Sequence, residues 1–345
     1  MSKDPGTLYE SLRRIPKTEL HLHLEGAVSP QVVAELAARH STELAGLTAA
    51  EVRERLLGYE DFQGFLDSYE LVCRHLVEPS DYQLALRGLV EEFERQNVLY
   101  AEVIYTPSIA WHFQRDGEAI LEALLETTHR LEKEGQLQIR WILDCVRQWP
   151  AEEAQRTAEL GVKYRDHGVV ALGLGGDELA QPMSEFRETY QWAKAHQLHI
   201  HVHAGEIGGP EQVWDAVKLL GANRIGHGIQ AARDPRLMDY LKEHAIGLDV
   251  CLTSNVCTGA WRPLSQHPLP LLLKRGVAVS LNTDDPALFD TDLTAEYELA
   301  VTRLGLSRCE LRQLVLQSVN RAFLPHDEKM SLMEQIQEEL LAAGC

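Results

Sequence analysis

Short apolar runs rich in β-formers alternate along the chain with longer stretches of helical spacing. Eight such runs occur, at 18–25, 98–107, 138–147, 169–175, 199–206, 224–228, 246–253 and 277–284. The helical stretches carry their own start signals. Ser29 is an N-cap before Pro30 at the first helical position, and Val32, Val33, Leu36 and Ala37 follow on one face. Residues 118–134 keep Ile120, Leu121, Leu124, Leu125, Thr128 and Leu131 together, and 184–196 and 210–220 read the same way. Strands alternating with helices predict βαβ units and a parallel sheet. Eight of them predict an α/β fold of the closed kind, a (β/α)8 TIM barrel. An open doubly wound sheet would follow its first strand with a glycine-rich phosphate turn. Here that strand ends in His23, Leu24, Glu25 and Gly26.

Residues 29–97 are too many for one crossover helix and hold several helical segments, including 59–70 and 80–94. They read as a helical insertion after the first strand, placed to cover the barrel mouth. A helical tail follows Pro286 and ends near Ala343. The whole chain, 1–345, is expected to be one domain.

Charge narrows the partners. Lys and Arg number 33 and Asp and Glu 52, a net charge of -19. So acidic a surface disfavours nucleic acid and anionic membranes as partners, but leaves a small molecule in a cleft open. No run reaches the roughly 18 apolar residues of a membrane helix, and 1–9 lacks an apolar signal core. The cysteines (Cys73, Cys145, Cys251, Cys257, Cys309, Cys345) form no CxxC pair. That disfavours a zinc knuckle or redox dithiol and fits a reduced, cytoplasmic protein.

Barrel chemistry gathers at the C-terminal ends of the strands, and this chain puts its polar residues there. His21 and His23 lie two apart, on one strand face roughly 6.6 Å from each other. Alone they are a surface pair or half a metal site. A barrel also brings His203 and Asp284 to the same rim. Three imidazoles and one carboxylate suit a borderline-soft divalent ion, zinc first. No cysteine stands at these ends, which favours a catalytic over a structural ion. His199 and His201 share the parity of His203 but precede the strand's end, and read as buried, hydrogen-bonded core. Glu206 is either an acid with a raised pKa or a carboxylate at the N-terminus of the 210–220 helix. His227, between glycines, is a base or an orienter of hydroxide. Asp284 and Asp285 should point opposite ways, one to metal and one to substrate, with Pro286 stopping the strand. Of the tryptophans, Trp261 stands nearest the mouth, and the other five read as core or lid packing.

Residues 18–27, 203–206, 224–228 and 280–286 resemble, in order, the motifs of the adenosine deaminase family of the amidohydrolase superfamily. Residues 173–178 (GLGGDE) resemble its strand-four segment, and the likeness runs from about 13 to 325. The resemblance implies a (β/α)8 barrel with one Zn2+ held by His21, His23, His203 and Asp284. It implies that Glu206 protonates N1 of a purine and that His227 orients and polarises hydroxide. Asp285 would meet N7, and the Gly176 backbone N–H would reach N3. Glu25 would face the ribose, where animal members have Asp. The implied reaction is hydrolytic deamination of a 6-aminopurine nucleoside, a zinc-activated hydroxide attacking C6 to give the 6-oxo product and ammonia. Residues 258–261 look like the adenosine enzymes. Residues 253–255 look more like bacterial relatives that act on 6-aminodeoxyfutalosine or adenine, and 213–221 and 320–323 are similar to the bacterial aminodeoxyfutalosine group. The substrate expected is therefore 6-aminodeoxyfutalosine or adenosine, the former tying the enzyme to menaquinone biosynthesis. Alternatives are free adenine and an inactive nucleoside-binding barrel. A binuclear amidohydrolase would need a bridging lysine, which 169–178 lacks. The other zinc deaminase class needs P-C-x-x-C, absent here. A Schiff-base aldolase would need a lysine at a strand end, and Lys17 and Lys274 are not so placed.

Overall fold

The computed structural model describes residues 5–135 and 137–342. Eight strands pair in chain order, every pair parallel. They are β1 (Lys17–His23), β2 (Val98–Tyr105), β3 (Gln138–Val146), β4 (Val169–Gly175), β5 (His199–Ala204), β6 (Arg224–His227), β7 (Gly247–Val250) and β8 (Val279–Leu281). The ring closes between its last and first members through a parallel bridge of Leu22 and Asp284. There the His23 N–H donates to the Asp284 carbonyl (2.9 Å) and the Asp284 N–H to the His21 carbonyl (3.0 Å). The chain is a (β/α)8 barrel. β1 and β2 are buried along their whole length, as parallel strands covered on both faces must be.

The later strands are shorter than their apolar runs. β7 stops at Val250 because a short helix, Leu252–Cys257, takes over the rest of the run. β8 stops at Leu281, so Pro286 does not end it, as its place in sequence had suggested. Instead Pro286 opens the helix Pro286–Phe289, where its missing N–H costs nothing. Ser29 caps its helix as expected, accepting from the Val32 N–H. The 210–220 stretch changes from α-helix to a π-turn at Ala216.

The insertion contains helices Pro30–His40, Ala49–Leu57, Phe62–His75 and Pro79–Arg95. Of these only Phe62–His75 lines the cavity at the mouth. Pro79–Arg95 packs on β2 and on the Gly117–Glu134 helix, as an outer barrel helix does. In the tail, Arg308–Arg321 packs on β8 and β1. The last helix is His326–Ala342; Ala343 and Cys345 lie outside the described residues. No helix among the described residues is long and apolar enough to cross a membrane.

Candidate active site

β1 brings His21 and His23 to the rim, β5 brings His203, and the turn after β8 brings Asp284. Their ligating atoms all lie within 4.8 Å of one another. His23 Nε2 is 3.2 Å from His203 Nε2, His21 Nε2 is 3.2 Å from Asp284 Oδ1, and His23 Nε2 is 3.5 Å from the same oxygen. With zinc–ligand bonds of about 2.0–2.1 Å, the edge of a coordination tetrahedron is about 3.3 Å. The donor set therefore fits one divalent ion.

The proton placement fits as well. His203 Nδ1 lies 3.0 Å from the Leu174 carbonyl, which only accepts, so the ring proton sits there and Nε2 is left bare. Burial pulls the His21 pKa down to about 3 and that of His23 to about 4, and lowers His203 too, so these rings are neutral donors. Burial pushes Asp284 up, but the His21 hydrogen bond and the surrounding imidazoles outweigh it and hold the carboxyl well below its usual range. Ser254 Oγ donates to Asp284 Oδ2 (2.7 Å), leaving Oδ1 to face the imidazoles. Gly226 makes room for the His21 ring, since a Cβ there would come within 2.6 Å of its Cε1.

His201 is the buried core histidine that its place in the strand predicts. Its Nε2 meets Asp249 Oδ2 (3.0 Å), which Arg224 also engages. His199 is not. As the first residue of β5 it lies exposed at the opposite end of the barrel, its ring stacked on Phe323.

Glu206 is half-buried, and burial raises its pKa. Thr258 Oγ1 donates to its Oε1 (2.9 Å), and its Oε2 lies 3.6 Å from His227 Nε2. It does not cap the following helix, whose N-cap is Gly209. The loop carrying it is held by Glu178, whose carboxylate accepts from the N–H groups of Gly205, Glu206, Ile207 and Gly208. Asp285 diverges from Asp284, but because Asp284 is left-handed (φ 65°), not because strand residues alternate. Its Oδ1 is buried with no hydrogen-bond partner, and burial, then the charge of Asp284, raises its pKa well above normal. A Cβ on Gly26 would fall 1.8 Å from that oxygen. Glu25 is buried and its pKa is pushed up to about 7. It meets the cavity through Tyr69, whose hydroxyl lies 3.4 Å from its Oε2. Gly176 lines the cavity directly.

That cavity measures about 480 Å³ and takes in His23, His203, Glu206, His227, Asp284 and Asp285. Neither Lys nor Arg lines it among the described residues. Asp144, at the end of β3, was not singled out from the sequence. It is buried, lines the cavity, and its Oδ1 has no partner. Burial, then the charge of Glu25, raises its pKa well above normal. An acid inside an apolar run was the available signal. The sequence marks Asn255 only as part of the 253–255 segment. Its side-chain Nδ2 lies 3.2 Å from His227 Nδ1. Trp149, not Trp261, lines the cavity. Trp261 turns its Nε1 to the Gln266 carbonyl (2.8 Å).

Fold and rim together define a (β/α)8 barrel with a cluster of three histidines and a carboxylate at the C-terminal ends of its strands. The adenosine deaminase model matches residues 16–339, and the chain belongs to the adenosine deaminase family. It is 37% identical over 331 residues to an aminodeoxyfutalosine deaminase of Streptomyces avermitilis, covering 95% of this chain and 92% of that one. It is 35% identical over 326 residues to an adenosine deaminase of Klebsiella pneumoniae, covering 93% and 98%. Among solved structures, an adenine deaminase from Arthrobacter aurescens superposes with a TM-score of 0.88 at 28% identity, over 94% of this chain and 98% of that one. Membership of the family supports an aminohydrolase, with hydrolytic deamination as its chemistry.

Proposed function

We propose that this chain is a zinc-dependent aminohydrolase that converts a 6-aminopurine nucleoside, 6-aminodeoxyfutalosine or adenosine, to its 6-oxo form and ammonia. The observation that carries this reading is one cavity holding the His21, His23, His203 and Asp284 donor set with Glu206, His227 and Asp285 beside it. A zinc ion held by those four side chains would supply a hydroxide nucleophile at neutral pH.

The chain's own residues do the rest. Burial raises the Glu206 pKa and so favours the protonated form that would donate to N1 of the ring. Protonated there, the purine draws electrons from C6 and accepts the incoming oxygen. The product keeps that proton on N1, and the carboxylate left on Glu206 can carry the oxygen's proton to the departing amino nitrogen. Asp285, its pKa also raised, donates to N7, and the Gly176 backbone meets N3. The buried surroundings keep bulk water from competing for these contacts. Asp144 offers its unpartnered oxygen to a hydroxyl at the sugar end, near Tyr69 and Glu25. A cavity of about 480 Å³ suits a nucleoside better than a bare base. A lining without Lys or Arg favours an uncharged sugar over a phosphate ester. A membrane-free, cytoplasmic enzyme acting on a small molecule is the setting of this reading.

The test is ammonia release by purified protein from adenosine, deoxyadenosine, adenine, 5′-methylthioadenosine, 6-aminodeoxyfutalosine and AMP. Release from none would leave only a binding barrel. Glu206→Gln should retain zinc and lose about 10²–10⁴-fold in turnover; near-normal turnover would take the acid role away from Glu206.

A further inference from the structure

His227 has two incompatible uses, depending on where its proton sits. A lone pair on Nε2 would make it a base toward the site, and an N–H there would make it a donor. The side chains behind it decide between them. His227 Nδ1 lies 3.2 Å from Asn255 Nδ2, Asn255 Oδ1 lies 3.2 Å from His267 Nε2, and His267 Nδ1 lies 3.2 Å from the Leu269 N–H. All three side chains are buried, so water does not substitute for these partners.

A backbone N–H is always a donor, so His267 Nδ1 accepts. Burial pulls the His267 pKa down to about 3, which leaves the ring neutral with its single proton on Nε2. That proton is donated to Asn255 Oδ1, which fixes the orientation of the amide. The amide nitrogen then faces His227 Nδ1 and donates to it. The proton of a neutral His227 is thereby left on Nε2. This is the atom 3.6 Å from Glu206 Oε2 and 4.0 Å from Asp284 Oδ2.

We infer that the chain Leu269 N–H, His267, Asn255 locks His227 as an Nε2–H donor facing the cavity, with Asn255 and His267 as positioning residues. His227 then has no lone pair to offer the site as a base. It can only steady negative charge as it builds on an oxygen, and proton transfer falls to Glu206. The left-handed backbone of His227 (φ 58°), uncommon for a residue other than glycine, aims the ring into this line. This role in the reaction rests on the function proposed above, but the lock itself does not.

The experiment is ¹⁵N NMR of histidine-labelled protein as purified, near neutral pH, with the His227 signals assigned by their loss in His227→Gln. The expected spectrum shows the Nε2–H tautomer. An Nδ1–H tautomer, or an imidazolium, overturns the inference. Asn255→Asp supplies the opposite demand with the same shape, because a carboxylate accepts a proton from Nδ1. It should move the ring proton to Nδ1 or charge the ring, and lower kcat by up to about 10⁴-fold, the scale of a wrong histidine tautomer in a serine protease triad. KM and zinc content should stay within a few-fold. An unchanged tautomer and kcat in that variant also overturn the inference. Should Asn255→Asp fail to fold, the wild-type spectrum still decides. If the wild type releases ammonia from no 6-aminopurine, the proposed reaction fails while the spectrum still judges the lock.

Discussion

Asp284 does two jobs with one residue. Its main chain bridges the barrel's last gap, and its side chain presents Oδ1 to His21 and His23. Asp284→Ala should therefore lose both zinc and turnover. Asp284→Asn, which tolerates the left-handed backbone better, separates loss of the charged ligand from backbone strain. Metal content after gel filtration is the measurement, and full zinc occupancy in both variants would mean that the fourth ligand is another group. Asp144 is the opposite case, a buried carboxyl with no structural partner for Oδ1. Such a group costs stability on the order of 1–3 kcal/mol. Asp144→Ala should therefore raise Tm while raising KM for the nucleoside about tenfold or more. A variant that is destabilised and binds normally would assign Asp144 to the fold instead. These two residues also mark how far single positions could be read from the sequence. Asp284 was legible because a barrel dictates which strand ends meet. Asp144 was not, because nothing in a β-rich run says whether its one acid faces the cavity or a partner in the core.

At the scale of elements, the first five strands lie close to their apolar runs, whereas β7 and β8 shrink to four and three residues. The difference is physical. A six-residue helix such as Leu252–Cys257 is too short to show a helical period, so its apolar residues pass for the end of a strand. Yet this helix delivers Ser254 to Asp284 and Asn255 to His227. Its first turn is held by Glu296, which accepts from the Thr253 N–H (3.1 Å) and from the hydroxyls of Thr253 and Thr291. Burial raises the Glu296 pKa from 4.5 to about 7. Between those values the folded state holds a proton that the unfolded chain has released. The contribution to stability is thus fully present below about 4.5 and is lost as pH rises through about 7. Glu296→Gln removes this titration, so its Tm should fall less than that of the wild type over this window. Parallel Tm–pH curves for the two proteins would show that Glu296 is charged in the fold throughout.

For the molecule as a whole, the donor set and the seam of the barrel are the same place. His21 and His23 belong to β1, Asp284 lies just past β8, and the bridge between them completes the ring. His203 comes from β5, so one ion would tie three sides of the rim together. Unfolding scatters these four residues across the chain, leaving a weak site or none. An ion that binds only the folded state stabilises it by about 4 kcal/mol when present at a thousand times its dissociation constant. Chelation followed by desalting should therefore lower Tm by several degrees, and adding zinc back should restore it. Asp284→Asn should respond much less to either step. The acidic surface gives a second reason for this coupling. With a net charge of -19, the chain gains from any cation it holds, but loosely associated ions would be lost on raising the salt. The Tm difference between loaded and stripped protein should therefore persist at high ionic strength, because the ion would sit among buried ligands. A difference that fades with salt, or a stripped protein as stable as the loaded one, would separate the seam from the metal and leave the four side chains without a common ligand.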